Sequence, residues 1–338
     1  MKRVIVGLTI VVTTSAWIFL APKAAITIRL VDQDGSPIPE MPVRLSTYSH
    51  TAPGAEWGQD VWEGTTKISD TNGIAAFVVR SKLDEVTYSV YPKPAGYYDD
   101  YGGEYRFERE ASGCWLPWNP TVELVLKRIK DPVPMYVRRV GWRYFARLPA
   151  LEKPVGFDLM KSDWVKPYGE GEVPDFIFWL KVEHIPNPPG WDEKRDGICH
   201  LYRTRFRLSF SNEGDGIQPF YVKLRTGSCL KSPSVAPEEG YEKDYAKNAA
   251  RLTPTHSEDE KMREDQNYLF RVRSEMSDGK VVRACYGKIY GNIEYSLEGG
   301  VQFLYYLNPD PTSRSLEFDT KRNLYTPKEE GETCTPGP

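Results

Sequence analysis

Short runs of alternating apolar and polar residues recur along the chain, and turn-forming residues separate them. The first run, Ile26–Val31, ends at the turn-rich segment Asp32–Pro39, and Thr121–Leu126 repeats the alternation about ninety residues later. A period of two places successive side chains on opposite faces of a β-strand, so each run predicts a half-buried strand. With 27 Gly and 27 Pro to form turns, the sequence predicts an all-β protein.

The second half of the chain repeats this pattern with many aromatic residues. Phe176–Val182, Tyr202–Phe210 and Gly300–Tyr306 are predicted strands. Within Tyr202–Phe210, the basic side chains at 203, 205 and 207 alternate with Thr, Phe and Leu, which predicts one basic face and one buried face. A single helix is predicted over Glu238–Arg251.

The amino terminus carries the pattern of an export signal. Lys2 and Arg3 precede an apolar run over residues 4–21, so residues 1–24 are predicted to be a signal peptide or a signal anchor. If the segment is cleaved, the protein is released to the periplasm or cell surface. If it is retained, residues 4–21 are long enough to anchor the chain in the inner membrane, which would be the protein's contact with the membrane.

Export allows disulfides to persist, and the chain has five cysteines: Cys114, Cys199, Cys229, Cys285 and Cys334. We expect one or two disulfides, within the second half of the chain, and the sequence leaves the pairing open. The odd number leaves at least one thiol free or paired with another chain.

Length predicts about two domains, and a proline-rich basic segment suggests where they meet. The predicted organisation is a β-sandwich over residues 25–128, a linker over 129–135, a second β-rich domain over 136–325 and a polar tail over 326–338. Residues 46–64, with Trp57 and Trp62, form an insertion that is either a binding loop or a cover for one end of the sandwich.

Three segments of the first domain carry a family resemblance: residues 31–45, residues 69–77, and Tyr88–Tyr91 followed by Gly96–Tyr98. They resemble the carboxypeptidase-regulatory-like and transthyretin-like modules of exported bacterial proteins. The resemblance implies a small Ig-like sandwich followed here by a larger sandwich-type domain, and it implies no activity. Residues 156–159, 163–169, 306–309 and 316–319 are similar to a group of uncharacterised exported bacterial proteins.

The sequence lacks the residue motifs of several catalytic, metal-binding and phosphate-binding sites. No His has a Glu three positions later, no Cys-x-x-Cys occurs, and neither a Gly-x-Ser-x-Gly nor a Gly-rich phosphate loop is present. We therefore predict no catalytic residue, no metal and no cofactor. A net charge of −3 gives no long-range attraction to nucleic acid, which is not an expected partner.

Two functions from different classes remain. The first is a non-catalytic envelope or surface protein that binds a glycan or an envelope protein. Its site would combine aromatic rings with hydroxyl-binding carboxylates: Asp158, Asp163, Trp164, Tyr168 and Asp175. A packed loop is the alternative for the same residues. The second function is a glycan hydrolase with two carboxylates drawn from Asp158, Asp163, Asp175 and Glu183.

Overall fold

The computed structural model is all-β and describes residues 21–327 except 51–59, 101, 142, 193, 195–199, 223–225, 254–255, 258–262 and 264. Among the described residues the chain forms two compact units. The smaller comprises the chain up to Val31, Pro37–Tyr91 and Glu104–Leu124, and the larger comprises Asp32–Ser36, Pro92–Gly103 and the chain from Val125. Residues 1–20 of the candidate signal segment lie outside the described residues, whereas Lys23 and Ala24, also assigned to that segment, begin the first strand and pair with Arg80 and Val79. No helix within the described residues is long and apolar enough to cross a membrane.

The first nine strands form the two sheets of the smaller unit. One sheet has the order β4-β1-β8-β7 with β9 beside β1, and the other has the order β3-β2-β5-β6. Strand β2 packs against β4 of the opposite sheet, so the unit is a sandwich. The strands are β1 (Lys23–Asp32), β2 (Pro42–His50), β3 (Asp60–Ile68), β4 (Ile74–Arg80), β5 (Glu85–Val90), β6 (Gly103–Arg106), β7 (Arg109–Ala111), β8 (Cys114–Leu116) and β9 (Thr121–Leu126).

Alternation explains burial in β2 and β5 of the smaller unit, whereas β1, predicted to be half-buried, is a central strand that is buried on both faces from Ala24 to Ile28. Ile26 and Ile28 of β1, and Val43 and Leu45 of β2, are almost completely inaccessible. The insertion predicted at residues 46–64 extends a hairpin, because β2 and β3 stay paired from Pro42 opposite Ile68 to His50 opposite Asp60. Trp57 lies outside the described residues, so its role stays a prediction.

Fourteen further strands are defined among the described residues, and they form the larger unit's two sheets. They are β10 (Val133–Val140), β11 (Ala146–Arg147), β12 (Val155–Asp158), β13 (Asp163–Trp164), β14 (Phe176–Ile185), β15 (Leu201–Ser209), β16 (Gly216–Tyr221), β17 (Asp244–Thr253), β18 (His256–Ser257), β19 (Gln266–Ser277), β20 (Lys280–Ile289), β21 (Glu294–Tyr295), β22 (Gly300–Leu307) and β23 (Phe318–Asn323).

The six-stranded sheet has the order β13-β12-β14-β15-β17-β18, and the eight-stranded sheet has the order β16-β19-β20-β22-β10-β23, with β11 and β21 beside β22. Their inner faces meet in an aromatic core. Phe176 of one sheet lies 5.0 Å from Phe270 of the other, and Phe178 lies 5.6 Å from Phe303, measured between ring centroids. Each fully buried ring contributes roughly 1.5–3 kcal/mol to stability. The aromatic side chains of the two inner faces therefore hold the sheets together.

The helix predicted over Glu238–Arg251 is wrong. Asp244–Thr253 is strand β17, paired in register with β15 from Tyr202 opposite Arg251 to Ser209 opposite Asp244. The segment contains Ala246, Ala249 and Ala250, which favour a helix in isolation, but pairing along a whole edge of β15 outweighs so weak a preference.

The predicted disulfides are not found in the described part of the chain. No disulfide joins Cys114, Cys229 and Cys285 to one another, and Cys199 and Cys334 lie outside the described residues. Cys285 carries a buried thiol whose Sγ lies 3.4 Å from the carbonyl oxygen of Pro309. Burial raises the pKa of this thiol to about 11, so it stays protonated and unreactive at neutral pH.

Candidate functional site

Asp158 organises the loop in which the sequence predicted a glycan site. Its Oδ1 accepts hydrogen bonds from the backbone N–H groups of Met160 and Lys161 at 3.0 and 3.1 Å. Its Oδ2 accepts from those of Glu172 and Val173 at 3.0 and 3.1 Å. Four backbone donors on one carboxylate fold the loop back onto the end of β12.

A buried ion network joins Asp158 to Asp175 through Arg273 of β19. The guanidinium Nη2 lies 2.9 Å from Asp158 Oδ1 and 2.9 Å from Asp175 Oδ2, and Nε lies 2.8 Å from Asp175 Oδ1. The side chains of Asp158 and Asp175 are 3% and 0% exposed. Arg273 belongs to the eight-stranded sheet, whereas Asp158 ends β12 of the six-stranded sheet and Asp175 directly precedes β14 of the same sheet, so the network links the two layers of the larger unit.

The pKa values follow from this burial. Desolvation raises the pKa of Asp175, against the opposing effect of Arg273. For Asp158, desolvation is outweighed by the backbone hydrogen bonds and by Arg273, and its pKa is lowered. Burial alone would lower the pKa of Arg273, but the hydrogen bond and charge of Asp175 raise it, so the guanidinium stays charged at any physiological pH.

Backbone geometry explains why Arg273 reaches both aspartates. The pairing of β19 with β20 is irregular between Val272 and Glu275, and Arg273 takes the left-handed conformation with φ 55°. The N–H groups of Arg273 and Ser274 are instead bound by Asp215, at 3.2 and 2.8 Å. The bulge thereby turns the Arg273 side chain toward the opposite sheet.

The other predicted site residues surround the same loop. Asp163 accepts hydrogen bonds from the backbone N–H groups of Trp164 and Glu170 at 2.8 and 2.9 Å. Trp164 packs edge to face against Phe157 and Phe178, with centroids 5.1 and 6.0 Å apart. Tyr168 is 47% exposed. The structure brings Asp158, Asp163, Trp164 and Asp175 together in one folded loop, and glycan binding there stays a prediction.

Glu183 lies apart from these carboxylates. It is exposed on β14, where its Oε2 is 3.7 Å from Nη1 of Arg203. Asp158 and Asp175 are close to each other, but the Arg273 guanidinium occupies the space between them where a sugar and its catalytic water would have to lie. The geometry offers the hydrolase hypothesis no support.

Sequence reasoning missed Arg273 and Asp215. The available signal is a basic residue at the end of a buried segment, because Arg273 directly follows Tyr268–Val272, all of whose residues are buried. A buried arginine requires carboxylate partners, which the sequence alone could not locate.

A second arrangement of charge lies on the outer face of the six-stranded sheet. Arg203, Arg205 and Arg207 of β15 are exposed, while Thr204, Phe206 and Leu208 between them are buried. This confirms the basic face and the buried face predicted from the alternation. We call Arg203, Arg205, Arg207, Lys181 and Trp179 the arginine face.

The neighbouring strands determine what surrounds each arginine. On β14, Glu183 pairs with Arg203, Lys181 with Arg205 and Trp179 with Arg207. On β17, the paired residues are Ala250, Asn248 and Ala246. Directly paired residues of antiparallel strands lie on the same face. The short side chains of β17 therefore leave the guanidinium groups uncovered on that side.

The basic residues of the arginine face differ in whether they form ion pairs with other described residues. Arg203 is paired with Glu183, and Lys181 Nζ lies 3.2 Å from Glu152 Oε2. Within the part of the chain that the structure describes, Arg205 and Arg207 form no ion pair. Exposed guanidinium groups beside a half-buried indole can bind carboxylate oxygens in a bidentate manner while the ring contacts a sugar face.

No group of three His, Cys, Asp or Glu side chains among the residues that the structure describes is placed to hold a metal ion.

Comparisons with known proteins give weak likenesses. No family model matches the chain, and no curated protein matches it. Among solved structures, a streptococcal ancillary pilin is similar at 11% identity and a TM-score of 0.23, with 57% of this chain and 55% of the pilin covered, so the chain spans about half the pilin's length. The full-length major pilin SpaD from Corynebacterium diphtheriae is similar at 9% identity and a TM-score of 0.24, with 77% of this chain and 90% of the pilin covered. The major pilin subunit of Bacillus cereus is similar at 10% identity and a TM-score of 0.22, with 82% of this chain and 66% of the pilin covered. At these TM-scores the likeness carries neither fold nor function over to this chain.

Proposed function

We propose that this protein is an exported, non-catalytic binding protein of the cell envelope, and that its arginine face binds an acidic glycan. The observation that carries the proposal is the pair of exposed guanidinium groups of Arg205 and Arg207, which lie beside Trp179 and form no ion pair with any residue that the structure describes. Uronate carboxylates would supply the missing counter-charges, and the indole would contact the sugar ring.

The net charge of −3 does not oppose this interaction. At physiological ionic strength, charges further than about 8 Å from a bound group are largely screened. The local charge of the arginine face therefore decides binding at contact, while the overall charge affects only long-range attraction.

The export part of the proposal rests on Lys2, Arg3 and the apolar residues 4–21, of which all but Ala21 lie outside the described residues. The non-catalytic part rests on the missing catalytic motifs and on the Arg273 guanidinium between Asp158 and Asp175.

Binding of the purified protein to immobilised alginate, a polyuronate, and to neutral dextran of equal length tests the proposal. We expect saturable binding to alginate and none to dextran. The double variant Arg205→Gln/Arg207→Gln should bind alginate about tenfold more weakly, since two exposed charge pairs of ~0.7 kcal/mol each are lost. The matched control is Arg109→Gln/Arg283→Gln, which removes two exposed arginines outside the six-stranded sheet.

Trp179→Ala separates recognition of a sugar from attraction to any polyanion. We expect this variant to lose affinity for alginate and to keep whatever affinity the protein has for polyphosphate, which offers no ring to stack. Equal binding of alginate and dextran, or a double variant that behaves like its control, would show the proposal to be wrong.

A further inference from the structure

The larger unit contains a cavity of about 580 Å³ whose walls are mostly apolar and which is lined by three lysines. All of its lining residues belong to this unit. Lys127, Lys130 and Lys231 contribute the positive charges, Asp34 contributes one negative charge, and Phe220 and Tyr221 are the aromatic members. The volume lies in the range of small-molecule sites in proteins.

The amine of Lys127 hydrogen-bonds to neutral oxygens alone. Its Nζ donates to the carbonyl oxygens of Ser232 and Lys231, at 2.8 and 3.3 Å, which leaves a third N–H. Behind it, Lys288 is completely buried and donates to Ser232 Oγ at 3.0 Å and to the Leu316 carbonyl oxygen at 2.8 Å. No carboxylate among the residues the structure describes lies within ion-pair distance of either amine.

Glu317 is the acidic group that acts on both lysines electrostatically, but its carboxylate is already engaged. Its Oε2 accepts hydrogen bonds from the Tyr98 hydroxyl at 3.0 Å and from the backbone N–H groups of Lys130 and Asp131 at 2.9 and 3.1 Å. Burial lowers the pKa values of Lys127 and Lys231 to about 8, so both amines lie in surroundings that solvate their charge poorly.

We propose that this cavity binds an amphipathic anion with one carboxylate head group and an apolar body. The head group would lie at Lys127, whose amine has no carboxylate partner among the described residues, and close to the amine of Lys231, while the body would contact Phe220 and the valines of the wall. A buried cation without a counter-ion is unfavourable, so an anion gains more here than at an exposed lysine.

The proposal implies pH-dependent affinity. The charged groups around the cavity are Lys130, Lys288, Glu317, Asp34 and the Arg263–Asp265 pair, whose guanidinium lies over the Tyr221 ring. The amines bind an anion only when protonated. Affinity should therefore be highest near pH 6.5 and fall as the pH rises through 8. Near pH 8, binding of the anion should be accompanied by proton uptake at the lysine amines.

Isothermal titration of the full-length protein with octanoate, n-octanol and inorganic phosphate tests the proposal. We expect octanoate to bind one site saturably and raise the melting temperature, and the other two probes to bind at least tenfold more weakly. Lys127→Met should lose tenfold or more of the octanoate affinity while folding normally, since an apolar side chain of similar length removes the buried charge. The matched control is Lys161→Met, at an exposed lysine outside the cavity.

A second variant tests occupancy of the cavity without touching the lysines. Val235 lines the wall and is 53% exposed, so Val235→Glu places a carboxylate at the cavity with little cost to folding. We expect it to abolish octanoate binding by occupying the lysines itself. The proposal fails if octanoate does not bind, if n-octanol or phosphate binds equally well, or if Lys127→Met and Val235→Glu bind octanoate like the unchanged protein.

Discussion

Arg273 is the residue whose removal should destabilise the larger unit most. The variant Arg273→Met keeps the length of the side chain but leaves Asp158 and Asp175 buried beside each other without a positive charge. Breaking a buried ion pair by removing one partner costs about 3–5 kcal/mol. We expect a loss of about 3 kcal/mol or more in the free energy of unfolding, measured by urea titration.

The control for this prediction is Arg283→Met, which removes an arginine from the exposed part of the neighbouring strand β20. Its effect should stay within about 0.5 kcal/mol, as is usual for surface positions. If both variants lose the same stability, the Arg273 network contributes no more than an ordinary surface side chain.

Lys288 makes stability depend on pH in a direction opposite to that of a salt-bridged lysine. Burial lowers its pKa to about 7, against 10.5 for the ordinary side chain. Between these two pH values the unfolded chain binds more protons than the folded chain, so stability rises with pH. The cost of burying the amine is complete below pH 7 and decreases as the pH rises toward 10.5.

The variant Lys288→Met removes this dependence. We expect the unchanged protein to gain roughly 1–2 kcal/mol over Lys288→Met between pH 7 and pH 9, measured by chemical unfolding at each pH. Lys161→Met provides the comparison, since an exposed amine keeps its hydration on folding. A constant difference between the unchanged protein and Lys288→Met across this range would show that Lys288 is not buried as an amine of lowered pKa.

At the scale of the element, strands with strict alternation were predictable and an alanine-rich strand was not. Tyr202–Phe210 matches β15 within one residue at each end. β17 was missed because its strand conformation depends on pairing with β15, which lies more than thirty residues away in the sequence.

The candidate site also has one part that the sequence predicts and one part that it does not. The basic face of β15 could be predicted, because alternation within one strand determines it. The ion network could not, since Arg273 meets Asp158 and Asp175 across two sheets at separations of 115 and 98 residues. Spacing along the chain does not reveal which buried charges compensate each other.

The turn between β3 and β4 has a geometry that glycine alone satisfies. Gly73 has φ +73°, and a Cβ there would lie 2.4 Å from the carbonyl oxygen of Leu30. Gly113 has the same φ but nothing within 4 Å of its own Cβ position. Alanine variants at Gly73 and Gly113 therefore separate two costs: that of an alanine with positive φ, which both share, and that of the contact with Leu30, which only Gly73→Ala makes.

We expect Gly113→Ala to lose about 1 kcal/mol, the cost of a left-handed alanine, and Gly73→Ala to lose roughly 2 kcal/mol more. Both positions lie in the smaller unit, so one thermal unfolding transition reports on both. Equal losses would mean that the turn moves away from Leu30 without cost.

At the scale of the whole molecule, local and overall charge make different predictions for glycan binding. Replacing an acidic side chain by its amide changes the net charge from −3 to −2 wherever it is made. If long-range attraction controlled affinity, every such variant would strengthen binding to alginate equally. If the arginine face controls it, position decides the outcome.

Glu183→Gln and Asp278→Asn provide that comparison. Glu183 lies 3.7 Å from Arg203 on the arginine face, whereas Asp278 lies in the turn between β19 and β20 of the other sheet. Asp278 has φ 52°, a conformation that asparagine adopts readily, so its substitution does not disturb the turn. We expect Glu183→Gln to bind alginate about two- to fivefold more tightly, because Arg203 is released from an ion pair worth up to ~1 kcal/mol. Asp278→Asn should leave the affinity unchanged at 150 mM salt. Equal strengthening by the two variants in biolayer interferometry would assign the attraction to net charge rather than to the arginine face.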